Sequence, residues 1–260
     1  MHLDVPATYM TWAPTLLLAI ARCGGIFLVA PVFASSVLPA RLRLAMSVVM
    51  ALAAVGRLAG PIAPPAGAVE LAGLLVAELA IGAVIGYAAR LLLVGLEMGA
   101  MYVSQQMGLA LGGVFDANKD ESGEPVSRLF HILGVVVFLA IGGHRALIAS
   151  LLGTFELLPP ASLASGGAML NVAVGLLMAS FVLALKVAAP VLIALIVATV
   201  AASLLQKTMP QFNILTVGLP LRATAGLVML AAALATLAPL LEAATDAMIR
   251  ELPAAFQAAS

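Results

Sequence analysis

Charge is what this sequence has least of. Of 260 residues only 9% are charged, 63% are apolar, and the mean hydropathy is +1.17. No ionisable side chain stands between Leu157 and Leu185, and none between Val187 and Gln206. A water-soluble domain needs a polar skin, which these residues cannot supply. The chain must live in lipid or inside an assembly that replaces lipid. Twelve basic and twelve acidic residues cancel. No basic stripe for nucleic acid and no acidic tail results.

Other absences exclude chemistry. Cys23 is the single cysteine, so no intrachain disulfide forms, and its apolar surroundings read as those of a buried structural thiol. His2, His131 and His144 lie far apart with no helical ligand spacing, so no metal site is expected. No Walker loop or dinucleotide fingerprint occurs, and no catalytic cluster is present. The expectation is a non-enzyme without a cofactor. Met1 to Trp12 holds Asp4 and no Lys or Arg, so the basic region of a cleaved signal is missing and the first apolar run reads as a retained helix.

What is present is a succession of apolar runs punctuated by Pro and Gly, with room for roughly six to eight spanning segments. The expected segments are about Ala13–Phe33, Leu44–Val55, Val69–Leu111 (kinked or bent back), Arg128–Leu152, Met169–Leu205 and Gly218–Leu241. Lys186 and Pro190 are expected to bend or break the fifth into two helices. Asp116 to Glu124 reads as a polar loop. Period-two alternation is absent and Ala and Leu dominate, so the fold class is all-α, built of polytopic membrane-type helical hairpins.

The lone charges inside these runs carry the functional information. Between Leu71 and Leu93, Glu78 and Arg90 together cost roughly 5–7 kcal/mol at a bilayer centre, and about ten large aliphatic residues return roughly 3–6 kcal/mol. That segment is a poor free-standing span. Glu78, Gly82, Gly86 and Arg90 recur every four residues, and Gly82/Gly86 is a small-xxx-small pair that admits a close neighbouring backbone, as are Gly95/Gly99 and Gly108/Gly112. One reading is ordinary helix packing. The sharper one docks these faces on sister subunits, with Glu78 and Arg90 paired across the contact. Arg22, Glu97, Arg145, Lys186 and Arg222 are similarly isolated, as structural ion pairs, interface snorkels or a conduction path.

Several polar islands follow a specific order. Arg22-Cys23-Gly24-Gly25 leads to Ala30-Pro31-Val32-Phe33, Pro39, Arg41 and Arg43. Gln105-Gln106-Met107-Gly108 is followed by Phe115 and Asp116, then by Gly143-His144, Thr154-Phe155 and Pro159. Lys207-Thr208-Met209-Pro210-Gln211-Phe212-Asn213-Ile214 stands ahead of Gly218-Leu219-Pro220. This ordered set resembles the FliR family, and more broadly the R/T component of the type III secretion export gate, over nearly the whole chain. It departs from the family at Ala117, where Pro is common, and at Gln206-Lys207, where Asn-Arg is common; charge is kept there but bidentate geometry is not.

The resemblance implies a structural, channel-forming subunit of the flagellar export gate. It would form one FliR-like unit over 1–260, with a P-like portion at 1–168, including a pore loop at about 106–127, and a Q-like hairpin and tail at 169–260. Its partners would be the P and Q components (FliP-like and FliQ-like), the B component, the cytoplasmic export machinery, unfolded flagellar substrates and membrane lipid. Its place would be the flagellar basal body in the bacterial inner membrane. The family's pore-closing loop maps here onto Gln106, Met107, Gly108 and Phe115, with Leu111 and Val114 between as apolar plug candidates; a hydrophobic constriction can seal by dewetting and still yield. Arg22, Glu78, Gly82, Gly86, Arg90, Glu97, Lys186 and Arg222 are the candidates for subunit packing and charge pairing. The alternative is a small secondary transporter with Glu78, Arg90, Glu97 and Arg222 as a relay near the midplane.

Overall fold

The computed structural model describes residues 5–34, 38–58, 60–109, 125–162, 166–208 and 214–257, and all regular structure among them is helical. The helices are α1 (Val5–Val29), α2 (Ala40–Val55), α3 (Ala68–Met107), α4 (Pro125–Ala140), α5 (Gly143–Leu157), α6 (Gly166–Thr208) and α7 (Ile214–Gln257). The all-α expectation holds.

Helix ends follow local chemistry. α1 stops at Val29, just ahead of Ala30-Pro31, because a residue before proline is pushed out of the helical region. α2 begins directly after Pro39. α3 ends at Gly108, which takes φ +79°. The Gly108 N–H donates to the Gln105 carbonyl (3.1 Å) and the Leu109 N–H to the Ser104 carbonyl (3.2 Å), the paired bonds of a Schellman cap.

Three boundaries differ from the sequence expectation. α3 runs unbroken for 40 residues, about 60 Å, rather than bending back. α6 is one helix of 43 residues that keeps Pro190 inside it. The missing proline N–H forfeits one ladder bond, which apolar helices accommodate locally. Conversely, the expected single segment Arg128–Leu152 is two helices, α4 and α5, parted where Gly142 adopts φ +79°; glycine alone enters that region at no steric cost.

Among the described residues four helices are long and apolar enough to cross a membrane: Thr11–Val29 of α1, α3, Leu170–Leu204 of α6 and Pro220–Arg250 of α7. The α4–α5 pair counts as a fifth if taken as one broken span. α2, at 16 residues or about 24 Å, is short of the roughly 30 Å hydrocarbon core.

The chain forms two compact units, interleaved in sequence. The first comprises Met1–Leu91, Gly142–Leu177 and Thr245–Ser260; the second comprises Leu92–Ile141 and Met178–Ala244. In the first unit α1 crosses α3 at glycines. A Cβ on Gly82 would lie 1.8 Å from the Arg22 carbonyl oxygen, and one on Gly25 would lie 2.3 Å from that of Leu79. Leu18, Ile26, Phe27, Ile81, Ile85 and Phe155 fill the core around this crossing. In the second unit α3 meets α6 in the same way: a Cβ on Gly95 would lie 2.4 Å from the Ser180 carbonyl oxygen. Leu93, Leu96, Phe130, Phe138 and Val191 form its core.

Candidate functional site

In the first unit the site is built around two charges that the close α1–α3 crossing seals from solvent. Arg22 is 0% exposed and Glu78 is 1% exposed. The Arg22 Nε donates to Glu78 Oε2 at 2.5 Å. Arg22 Nη1 donates to the main-chain carbonyls of Thr154 (3.1 Å) and Leu158 (2.9 Å), which close the C-terminal end of α5. The guanidinium carbon also lies 4.5 Å from the centre of the Phe155 ring, within cation–π range. Glu78 Oε1 accepts the Ala161 N–H at 3.0 Å. Ala161 has φ +71°, a left-handed conformation that costs a residue bearing a Cβ about 1–2 kcal/mol. The carboxylate thus satisfies the N–H of this strained residue. Arg22 Nη2 is buried and has no hydrogen-bond partner among the described residues.

The Arg22 guanidinium, which stays protonated in a protein, and the Glu78 carboxylate are bonded to one another and to main-chain groups of the α5 end and the turn that follows. Among the described residues no group of three or more His, Cys, Asp or Glu side chains is placed to hold a metal ion. The cluster ties α1, α3 and the α5–α6 connection together by charge-assisted bonds whose partners are spread along the chain.

Within the chain the partner of Glu78 is Arg22, not Arg90. Gly82 and Gly86 do not present a free docking face: the backbone of α1 at Arg22, Ile26 and Ala30 already occupies it. Their four-residue spacing marked a close approach correctly, but the approaching helix is the chain's own. Arg90 is exposed.

In the second unit Glu97 Oε1 meets His131 Nδ1 of α4. The two side chains are 35% and 45% exposed, so this pair sits in a wetter or lipid-facing setting than Arg22–Glu78. Lys186 is exposed on α6. Arg222 on α7 is half-buried, with its Nε unpartnered among the described residues. Of the pore-loop candidates, Gln106 is exposed, Met107 is fully buried and Gly108 forms the cap of α3. Met107 lies under α7: a Cβ on Gly226 would stand 2.3 Å from its Cγ. Leu111, Val114 and Phe115, like Gly112, lie outside the described residues.

Sequence reasoning missed the Arg22–Glu78 pairing, the carbonyls of Thr154 and Leu158, the Ala161 N–H and His131 as the partner of Glu97. The one advance signal was that Arg22, Thr154, Phe155 and Pro159 belonged to the same ordered set of polar islands.

Residues 13–248 match the family model described as bacterial export proteins, family 1. The chain belongs to this family. The match contains both units' charge pairs and the whole of α3 and α6. Relatives in this export-protein family are each named flagellar biosynthetic protein FliR. The protein from Caulobacter vibrioides is 29% identical over 85% of this chain and 88% of its own length. That from Escherichia coli is 25% identical over 90% and 89%, and that from Bacillus subtilis is 22% identical over 84% and 85%. As an export-family member with four apolar helices long enough to cross a membrane, the chain is a membrane-embedded export component. The FliR resemblance read from the polar islands is borne out.

Proposed function

We propose that the chain is a structural, channel-forming subunit of the flagellar type III export gate. It assembles with P- and Q-type components, passing unfolded flagellar proteins across the bacterial inner membrane at the basal body. The observation that carries this reading is family membership over 13–248 together with full-length relatives named for flagellar biosynthesis. The physical support is the surface of the helices. Met178, Leu185, Ile193, Val197 and Leu204 of α6 each expose 60–65% of their area, more apolar surface than a soluble monomer carries in one stripe. Lipid and sister subunits are the covers this surface fits.

In this reading the Arg22–Glu78 cluster is the scaffold, and the end of α3 is the working part. Gln106, Met107 and the Gly108 cap lead the chain off a rigid helix into the segment holding Leu111, Val114 and Phe115, the apolar plug. A charge relay for solute transport is less well supported. Glu78 has its charge neutralised by Arg22, and Glu97 pairs with His131.

Removing the gene and scoring secretion of filament and hook proteins tests the proposal. Export is expected to stop and to return with the intact gene. A deletion strain that secretes these proteins normally contradicts the role.

A further inference from the structure

The glycines at the helix crossings meet backbone: a Cβ on Gly25, Gly82 or Gly95 would strike a carbonyl oxygen of the facing helix. Gly226 of α7 is different. A Cβ there would stand 2.3 Å from Cγ, 2.6 Å from Sδ and 2.9 Å from Cε of Met107, so the three nearest atoms all belong to one side chain. Gly226 is thus a socket, and the Met107 thioether lies along it. Both residues belong to the second unit.

The residue in the socket has a special place. Met107 is the last residue of α3 and is fully buried, whereas Gln105 and Gln106 beside it are exposed. The close approach of α3 to α6 lies two turns back, where a Cβ on Gly99 would stand 2.8 Å from the Ala184 carbonyl oxygen. Directly after Met107, Gly108 turns the chain off the helix axis at φ +79°. The cap bonds fix the shape of that exit relative to the last turn of α3. The seating of Met107 fixes that last turn, which would otherwise fray as helix ends do, relative to α7.

We propose that Gly226 is a positioning residue: by making room for Met107 it pins the end of α3 to α7 and so sets where the chain departs towards Leu111, Val114 and Phe115. The consequence for gating rests on the plug reading above; the seat itself does not. A side chain at Gly226 must displace Met107 from Cγ outward, not merely its flexible tip. In a packed interior that moves the end of α3 off α7.

The test exchanges knob and hole. Gly226→Val adds as many heavy atoms as Met107→Ala removes, so the double variant refills the seat, while each single variant overfills or empties it. The variants are studied in membranes of cells expressing the full gate, with the buried Cys23 left in place. A nitroxide on Leu109→Cys, just past the cap, reports the exit, and one on the exposed Val136→Cys of α4 reports the rest of the unit. Both single variants should mobilise the Leu109 label and leave the Val136 label unchanged. The double variant should return the Leu109 label to its original spectrum. Gly226→Ala should act in the same direction as Gly226→Val and by less, which keeps the test open if the valine variant is lost from membranes. A Leu109 label indifferent to Gly226→Ala and Gly226→Val overturns the proposal. So does equal mobilisation of both labels, which would make Gly226 an ordinary packing position, or a double variant as mobile as Gly226→Val. Membrane conductance in the same strains should rise with Gly226→Val and fall back in the double variant. If deleting Leu109 to Val114 leaves conductance unchanged, the plug reading fails and the labels alone judge the seat. If that deletion leaks while a label-mobile Gly226→Val stays tight, the plug reading survives and this inference is overturned.

Discussion

Arg22 and Glu78, 56 positions apart, form a 2.5 Å ion pair at a helix crossing so tight that neither side chain reaches solvent. Two buried charges are an expensive way to hold helices together. Part of their cost is offset here by the Thr154 and Leu158 carbonyls and the Ala161 N–H, while Arg22 Nη2 has no hydrogen-bond partner among the described residues. The pair therefore specifies one arrangement of α1, α3 and the α5–α6 turn rather than adding generic stability.

Removing either partner leaves the other buried and uncompensated. Arg22→Ala or Glu78→Ala should destabilise the first unit by about 3–5 kcal/mol, read as a loss of the chain from membranes and a lower melting temperature of the purified gate. The swapped double variant Arg22→Glu with Glu78→Arg should not recover, because a carboxylate cannot donate to two carbonyls. Recovery by the swap would reduce the cluster to a simple charge pair. Glu97→Gln, at a half-exposed pair, should cost no more than about 1 kcal/mol.

The glycines make a graded series. At Gly82 an added methyl meets the Arg22 carbonyl oxygen, while at Gly24 nothing lies within 4 Å. Gly82→Ala should force α1 and α3 apart and cost about 1–3 kcal/mol. Gly24→Ala should be neutral or stabilise by about 0.5–1 kcal/mol through helix propensity. Thermal denaturation of the two variants side by side checks the order; equal effects would contradict the crossing.

Arg90 is an exposed charge in the middle of α3. Arg90→Glu should weaken gate assembly while leaving the chain itself folded, and an opposite charge change in the facing subunit should restore it. Blue-native electrophoresis of the gate is the measurement. Normal assembly of the single variant would remove Arg90 from the interface.

The plug is tested by shortening it. Deleting Leu109 to Val114 should let ions or small molecules leak through membranes expressing the gate, since a dewetted constriction needs its apolar side chains. Unchanged membrane conductance would count against that role.

Much of this was legible from residue order. The scarcity of charge announced membrane-type helices, and Gly82/Gly86 announced a close crossing. What could not be read was the identity of long-range partners. Glu78 looked like a residue seeking a sister subunit because nothing local to it is basic except Arg90, three turns on; the pairing with Arg22 exists only once α1 lies across α3. Pro190 looked like a break because a proline costs a soluble helix one hydrogen bond and a clash, yet α6 continues through it. Gly142 was the real interruption, and only its positive φ distinguishes it from the many glycines that stay helical.

Native mass spectrometry of the complex extracted from membranes tests the central claim most directly. The account predicts this chain in one particle with P- and Q-type subunits, and no stable folded form of the chain alone. A well-folded monomer that carries a solute across vesicles would contradict it.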